Sequence, residues 1–170
     1  MPGYVIHVAI AQEYIKKHNN KKENNIEFIK GVIYPDSISP KSESHYGKSP
    51  AYTDLKRFLE NNEIKDSFSK GKFLHLITDY LFYNYYLEFF SKQDMYNDYD
   101  ILNEKLIRKY NVKLPKEVRE YVFFKDGDTK ILNMFLACKI IDEISSMDIE
   151  IVEKEVMKDE EKWKYYKNIV

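Results

Sequence analysis

The chain has 170 residues, and its 27 basic and 28 acidic side chains leave a formal net charge of −1. This length suits a single domain with one hydrophobic core, here residues 1–170. The balanced charge gives no indication of the clustered basic surface that nucleic-acid binding requires, and no apolar stretch is long enough for a transmembrane segment. The N-terminal residues lack the pattern of a secretion signal, so we expect a soluble, cytoplasmic protein. No feature of the sequence indicates an oligomeric state.

The first fifty residues predict two helices and a loop. Segment 3–18 carries one apolar stripe at helical spacing, and segment 25–31 is a shorter helix that stops at Gly31. Residues 34–50 contain three of the five prolines together with several serines. This composition is typical of a connection, and it predicts a long proline-containing loop at about 34–50.

The rest of the chain is also predicted to be helical. The expected helices are 51–61, 66–91 as the longest, 98–110, 129–146 and the tail from Asp148. Asp66 or Ser67 would cap the longest helix, and Pro115 suits the first turn of another. The predicted fold is therefore a compact all-α domain with a half at about 1–90 that holds the candidate metal site and a helical C-terminal half at about 95–170.

His75 and Asp79 are four residues apart within the apolar stretch 73–82. Side chains at this spacing share one face of an α-helix, so both should point the same way. A carboxylate among apolar side chains is costly unless its charge is compensated. A bound metal ion would compensate it. The alternative is a structural pair, in which Asp79 accepts a hydrogen bond from His75 or from a lysine.

Three further residues complete a candidate metal site: His7 in the first helix, Asp36, and His45 in the predicted loop. Singly, each has an ordinary interpretation, as a buried core histidine, a turn residue and an exposed loop histidine. Together with His75 and Asp79 they supply nitrogen and oxygen donors of the kind that zinc accepts. Iron, manganese and nickel accept a similar set.

The order of these residues resembles the zinc-dependent phospholipase C family. The resemblance rests on His7, the sequence GVIYPD that ends at Asp36, His45, and the sequence GKFLHLITD that contains His75 and ends at Asp79. It covers about residues 3–90. The family is all-α and is related to zinc-dependent nucleases of the same architecture. The resemblance therefore implies an all-α fold, bound zinc and hydrolysis of a small phosphoester.

The resemblance also implies a role for each residue. Asp36, His45, His75 and Asp79 would bind one zinc ion, and Asp79 would bridge to a second ion bound by His7. Asp36 would in addition accept a proton from the attacking water, which makes it the candidate catalytic residue. The expected activity is that of a phosphodiesterase or phospholipase C-like hydrolase with one or two zinc ions.

The chain departs from the family pattern after the predicted ligand helix. The family's remaining metal ion uses two histidines and a glutamate downstream, whereas no histidine follows His75 here. Tyr85 stands near the place of the first of those histidines, and Asp142 or Glu143 could substitute as a ligand. We therefore expect the third metal to be lost or bound differently, as in a reduced member of the family.

Three other functions fit parts of the same pattern. The first is a non-catalytic metal-binding helical domain, which the missing downstream histidines favour. The second is an HD-type phosphohydrolase, which needs an adjacent His-Asp pair that this chain lacks. The third is a helical interaction module, for which the aromatic stretch 80–90 would be a partner surface instead of core. In a hydrolase, Lys70 and Lys72 could offset charge on the phosphoryl group.

Overall fold

The computed structural model describes residues 3–170, and within this range the chain forms helices and connecting turns without a β-strand. The predicted all-α class is confirmed. The α-helices are α1 (Tyr4–His18), α2 (Asn25–Ser37), α3 (Lys41–His45), α4 (Leu55–Asn61), α5 (Ser67–Leu81), α6 (Lys92–Tyr110), α7 (Met134–Ser145) and α8 (Ile149–Met157). None of these helices is long and apolar enough to cross a membrane.

The second helix does not stop at Gly31, as predicted, but continues through Pro35 to Ser37. Gly31 is present because α2 packs directly against α5. A Cβ atom at Gly31 would lie 2.1 Å from the carbonyl oxygen of Phe68, and one at Gly71 would lie 2.1 Å from that of Phe28. The two glycines thus allow the two backbones to touch, which fixes the relative position of α2 and α5.

The segment predicted as a long loop at about 34–50 is largely helical, so that prediction was wrong. Its first residues end α2, Lys41–His45 form the short helix α3, and Pro50–Tyr52 form a turn of 3-10 helix. Pro40 precedes α3 as its N-cap, and Pro50 occupies the first position of the 3-10 turn. Prolines at these positions begin helices instead of breaking them.

Helix α5 starts where the sequence indicated but ends ten residues earlier than predicted. Asp66 is its N-cap and forms a reciprocal capping box with Ser69. After Leu81 the chain widens into one π turn, in which the Asn84 side chain donates to the carbonyl of Tyr80 and accepts from the N–H of Lys167. Of the helices described, α6 is therefore the longest, with 19 residues.

The C-terminal half packs against this N-terminal group of helices. Helix α6 begins at Lys92, earlier than predicted, and its buried Asp98 accepts hydrogen bonds from three successive backbone N–H groups of residues 130–132. The chain then covers α5: the hydroxyl of Tyr80 donates to the carbonyls of Lys162 and Tyr165, and Trp163 packs beside its ring. Tyr85 and Phe89, by contrast, are about half exposed.

Candidate metal centre

The structure brings together all five residues that the sequence singled out. His7 comes from α1, Asp36 from the last turn of α2, His45 from the end of α3, and His75 and Asp79 from adjacent turns of α5. All five are buried. Four helices therefore converge on one polar cluster inside an apolar core, and the glycine contact between α2 and α5 sets the separation of Asp36 from the other carboxylate.

Asp79 lies at the centre of the cluster, and three imidazoles approach its two oxygens. Its Oδ2 lies 2.9 Å from Nε2 of His45 and 3.3 Å from Nε2 of His75, while its Oδ1 lies 3.3 Å from Nε2 of His7. The side chain has no exposed surface. The side chains of His75 and Asp79 thus point to the same side of α5, as their spacing predicted.

Asp36 faces the same three nitrogens from the other side at longer distances. Its Oδ1 lies 3.7 Å from Nε2 of His75 and 3.8 Å from Nε2 of His45, and its Oδ2 lies 4.0 Å from Nε2 of His7. Two overlapping groups of potential ligands result, namely His7, His75 and Asp79, and Asp36, His45 and His75. Within each group the donor atoms lie within 4.8 Å of one another.

In His45 and His75, Nδ1 points away from the cluster and forms a hydrogen bond to a backbone carbonyl. This bond determines which ring nitrogen carries the proton. Nδ1 of His75 lies 2.6 Å from the carbonyl oxygen of Val32, and Nδ1 of His45 lies 3.2 Å from that of Lys41. A carbonyl only accepts, so both Nδ1 atoms carry the proton. Ser44 agrees with this assignment, because its hydroxyl donates to the carbonyl of Pro35 and accepts from His45.

In the neutral rings, both Nε2 atoms therefore present lone pairs toward the cluster. These two nitrogens are 3.3 Å apart, and each lies close to an oxygen of Asp79. Lone pairs and carboxylate oxygens repel one another at such distances. One added proton would satisfy only one of these contacts, whereas a cation among the donors would satisfy them all.

Six buried polar atoms of the cluster have no hydrogen-bond partner. They are both ring nitrogens of His7 and both carboxylate oxygens of Asp36 and of Asp79. The close nitrogens do not approach these oxygens with hydrogen-bond geometry, although some distances are short. Buried polar atoms in native proteins are nearly always paired, and unpaired buried charges are costly. The donor set therefore fits a bound metal ion.

The electrostatics of the cluster favour a neutral His7 and an ionised Asp79. Burial lowers the pKa of His7, and the neighbouring His75 lowers it further, so His7 is neutral at pH 7. Burial opposes charge on His75, but the carboxylates of Asp79 and Asp36 outweigh it and raise its pKa, so a metal ion would displace a proton from this ring. Burial would raise the pKa of Asp79, yet the charge of His75 and the nearby rings hold it well below its usual range. An ionised carboxylate beside imidazoles is what a metal ion requires.

Ring packing holds the imidazoles in place. His7 and His75 are stacked with ring centroids 3.9 Å apart and an angle of 6° between their planes, and His45 meets His75 edge-on. In metal sites, the ring nitrogen of a histidine that does not bind the metal commonly donates a hydrogen bond to a carbonyl, and this bond fixes the ring orientation. His75 and His45 have such a bond, whereas Nδ1 of His7 has none.

Lys41 also lies at the cluster and was not predicted from the sequence. Its ammonium donates to the carbonyl oxygen of Asp36 and lies 3.5 Å from Oδ1 of the same residue. Its side chain is 33% exposed, unlike the side chains of the five buried residues. The one signal in the sequence is that Lys41 follows Asp36 by five residues. In a segment predicted to be a loop, that spacing does not determine the direction of the side chain.

The substitute residues suggested from the sequence have other partners. Tyr85 donates to the carbonyl of Lys162, Asp142 accepts from Tyr110, and Glu143 accepts from Tyr86. Neither Asp142 nor Glu143 belongs to either group of potential ligands among the described residues. The suggestion that one of these carboxylates substitutes as a ligand is therefore corrected.

The two lysines suggested for charge compensation are also engaged elsewhere. Lys70 pairs with Glu23 at 3.3 Å. The ammonium of Lys72 lies over the rings of Tyr34, Phe58 and Phe68, and burial lowers its pKa. Lys41 is the lysine whose ammonium lies beside a carboxylate of the cluster.

A cavity of about 870 Å³ adjoins the cluster. Asp36 forms part of its wall, and the other lining residues include Tyr4, Tyr34, Tyr99 and Tyr121. Burial is the main reason that the pKa of Tyr4 rises to about 12, with the charge of Asp36 adding to it. The cavity therefore gives a small molecule room to approach Asp36 along an aromatic wall.

Comparison of the chain with protein-family models, with curated proteins and with solved structures finds no match in any of the three. The relationship to zinc-dependent phospholipases C accordingly stays a prediction that rests on the order of the five residues. What the protein does has to be inferred from the chemistry of the cluster and of the cavity beside it.

Proposed function

We propose that this protein is a metal-dependent hydrolase of a phosphoester. One observation carries the proposal: the Nε2 atoms of His45 and His75 lie 3.3 Å apart inside the core, both beside an oxygen of Asp79. Together with Asp36, these residues would hold one divalent ion, and His7 would hold a second ion bridged by Asp79. The same order of ligands supports a relationship to the zinc-dependent phospholipase C family, as a reduced member.

Zinc is the metal that we propose, because the donors are imidazoles and carboxylates in a small, closed set. Zinc binds such donors with tetrahedral geometry, and catalytic zinc sites combine histidines with carboxylates. Iron, manganese and nickel bind the same donor types. The residue types alone therefore do not distinguish zinc from these metals, and the proposal of zinc rests on the combination of histidines with carboxylates.

A bound ion of this kind polarises a phosphoryl oxygen and lowers the pKa of a bound water to about 7. The protein would supply the remaining parts of the reaction. Asp36 lies between the cluster and the cavity and approaches the imidazoles less closely than Asp79 does, so its carboxylate is the one that we propose would accept a proton from water. General-base assistance by a positioned carboxylate is a common contribution to hydrolysis.

The cavity supports hydrolysis over a purely structural role for the metal. A structural metal site is closed on all sides, whereas a catalytic one keeps a position open to substrate. Here Asp36 belongs both to a group of potential ligands and to the wall of a cavity of about 870 Å³. The carboxylate of Asp36 is itself buried, so a small phosphoester in the cavity would reach the metal-binding residues through a local movement of this side chain.

A non-catalytic metal-binding domain is the second candidate. The observation that favours it is the complete burial of the side chains of His45, His75 and Asp79, which form the inner part of the cluster. A metal there would join α1, α2, α3 and α5 and stabilise the N-terminal half. It would use the same ligands, so metal binding alone does not separate the two candidates.

Elemental analysis and a hydrolysis assay test the proposal together. Protein purified without chelator should contain one or two zinc equivalents and should hydrolyse bis-p-nitrophenyl phosphate or another member of a phosphoester panel. Asp79→Asn should lose both properties, because it removes the carboxylate that all three imidazoles approach. Asp126→Asn makes the same chemical change at an exposed turn and should leave both properties intact.

The outcomes separate the two candidates. Zinc-loaded wild-type protein without activity on any phosphodiester, phosphomonoester or phospholipid would support the structural role and contradict the hydrolase. Wild-type protein that takes up no divalent metal, or Asp79→Asn protein with full metal content, would contradict both.

A further inference from the structure

We propose that Lys41 binds the phosphoryl group of the substrate and supplies positive charge that the missing downstream metal site does not. This inference deepens the proposed function and rests on it. It starts from the position of Lys41, whose ammonium contacts Asp36 while a third of its side chain stays exposed. Lys41 therefore combines a contact to the cluster with access from solvent.

The charges of the cluster show why such a residue is needed. One divalent cation balances the carboxylates of Asp36 and Asp79, and neutral imidazoles add no charge. A centre with one ion would therefore be neutral and would attract an anionic phosphoester only weakly. The Lys41 ammonium makes the same centre positive. Developing negative charge in phosphoryl transfer is stabilised by lysine, arginine or metal ions placed around it.

Other cations near the site do not serve this purpose. The ammonium of Lys30, on the cavity wall, forms an ion pair with Glu27 at 2.9 Å. Lys70 and Lys72 are held by Glu23 and by aromatic rings, as described above. Only Lys41, among the lysines and arginines with described ion pairs, pairs with a carboxylate of the cluster. When that carboxylate binds a metal ion, the ammonium keeps its hydrogen bond to the carbonyl of Asp36 and has further N–H donors for an anion.

The short helix α3 fixes Lys41 relative to the metal-binding residues. The carbonyl of Lys41 accepts the hydrogen bond from Nδ1 of His45, one turn later in the same helix. The backbone of Lys41 thus orients a potential ligand, while its side chain contacts Asp36. A substitution of the side chain leaves the backbone contact in place, so the two roles can be separated experimentally.

The test measures the binding of inorganic phosphate to the zinc-loaded protein by calorimetry. Lys41→Met keeps most of the side-chain volume and removes the charge, and it should keep the wild-type zinc content. Its affinity for phosphate should fall about tenfold to a hundredfold, the effect expected for loss of one charge-assisted hydrogen bond. Lys41→Arg keeps the charge and should bind phosphate within roughly threefold of wild type.

Lys48→Met is the matched control. It removes the same charge three residues after His45, where the ammonium lies over the ring of Tyr52 and away from the cluster. This variant should bind phosphate as the wild type does. In a hydrolysis assay, Lys41→Met should also show a raised KM for an anionic phosphoester, and Lys41→Arg should restore it.

Several results would overturn the inference. Unchanged phosphate affinity in zinc-loaded Lys41→Met would show that the ammonium does not contact the anion. Loss of zinc from Lys41→Met would show that the residue holds the ligands in place instead. If the wild type binds zinc and hydrolyses phosphoesters while Lys41→Met keeps its phosphate affinity, only this inference fails; if the wild type takes up no metal, the proposed function fails with it.

Discussion

Replacing Gly71 with alanine tests the contact that positions the metal-binding helices. The new Cβ atom would lie 2.1 Å from the carbonyl oxygen of Phe28, about 1.3 Å short of the 3.4 Å at which ordinary contact begins. The obstructing atom belongs to the backbone of α2, so no side-chain rotation can remove it. Helices α2 and α5 must therefore move apart by about that distance.

The expected loss of stability follows from two opposing effects. Overpacking of a tight interior costs about 1–3 kcal/mol, and a backbone obstruction places Gly71→Ala at the upper end of that range. Alanine in place of glycine stabilises a helix interior by roughly 1 kcal/mol. The net free energy of unfolding should fall by about 2 kcal/mol, which lowers the midpoint of thermal unfolding by about 4–8 °C in a chain of this size.

The same displacement should weaken metal binding. Asp36 is on α2 and His75 is one turn after Gly71 on α5, so separating the helices separates the ligands. Ligand positions matter to about 0.5 Å, and we expect roughly a tenfold or larger loss of zinc affinity. Thermal unfolding and zinc titration check both effects, with Lys105→Ala at an exposed position of α6 as the control. A Gly71→Ala protein as stable as the wild type would refute the proposed contact.

Two further predictions concern metal removal and a structural carboxylate. Dialysis against a chelator should lower the unfolding temperature, and zinc at about a thousand times its dissociation constant should restore about 4 kcal/mol of stability; a midpoint that does not respond to zinc would contradict this. Asp98→Asn should cost about 2–4 kcal/mol, because the amide N–H₂ that replaces one carboxylate oxygen cannot accept from the backbone N–H groups which that oxygen binds, while zinc content should stay the same. Equal stability of this variant in urea unfolding would argue against those hydrogen bonds.

The five residues of the cluster could be found from the sequence because their chemistry is rare in this chain. His75 and Asp79 share a helical face by spacing alone, and the structure keeps them together. The convergence of His7, Asp36 and His45 on that pair depends on how three separate helices pack. The sequence alone gave no distance between them, so their grouping rested on the family resemblance.

The helix boundaries were harder to predict where the same residue type can either end a helix or lie inside one. Gly31 was interpreted as a helix stop, but it lies inside α2 because α5 leaves no room for a side chain. Asn84 marks the end of regular α-helix through hydrogen bonds to Tyr80 and to the distant Lys167. Such tertiary contacts are invisible in local periodicity, and therefore α2 was predicted too short and α5 too long.

Lys41 illustrates the same difficulty for function. In a predicted loop, a lysine five residues after Asp36 has no defined direction. Once Lys41–His45 is a helix, the backbone of Lys41 orients His45 and its side chain contacts Asp36. The missed residue follows directly from the missed helix.

The burial of Tyr80 by residues 162–165 has a consequence for synthesis of the protein on the ribosome. All five residues of the cluster are translated by position 79, whereas Tyr80 is buried by a segment some eighty residues later, around Trp163 and Tyr165. A nascent chain that has completed α5 therefore leaves the ring of Tyr80 uncovered until translation is nearly finished. Such uncovered surface is where incomplete chains aggregate, so release of the last residues should coincide with gain of solubility.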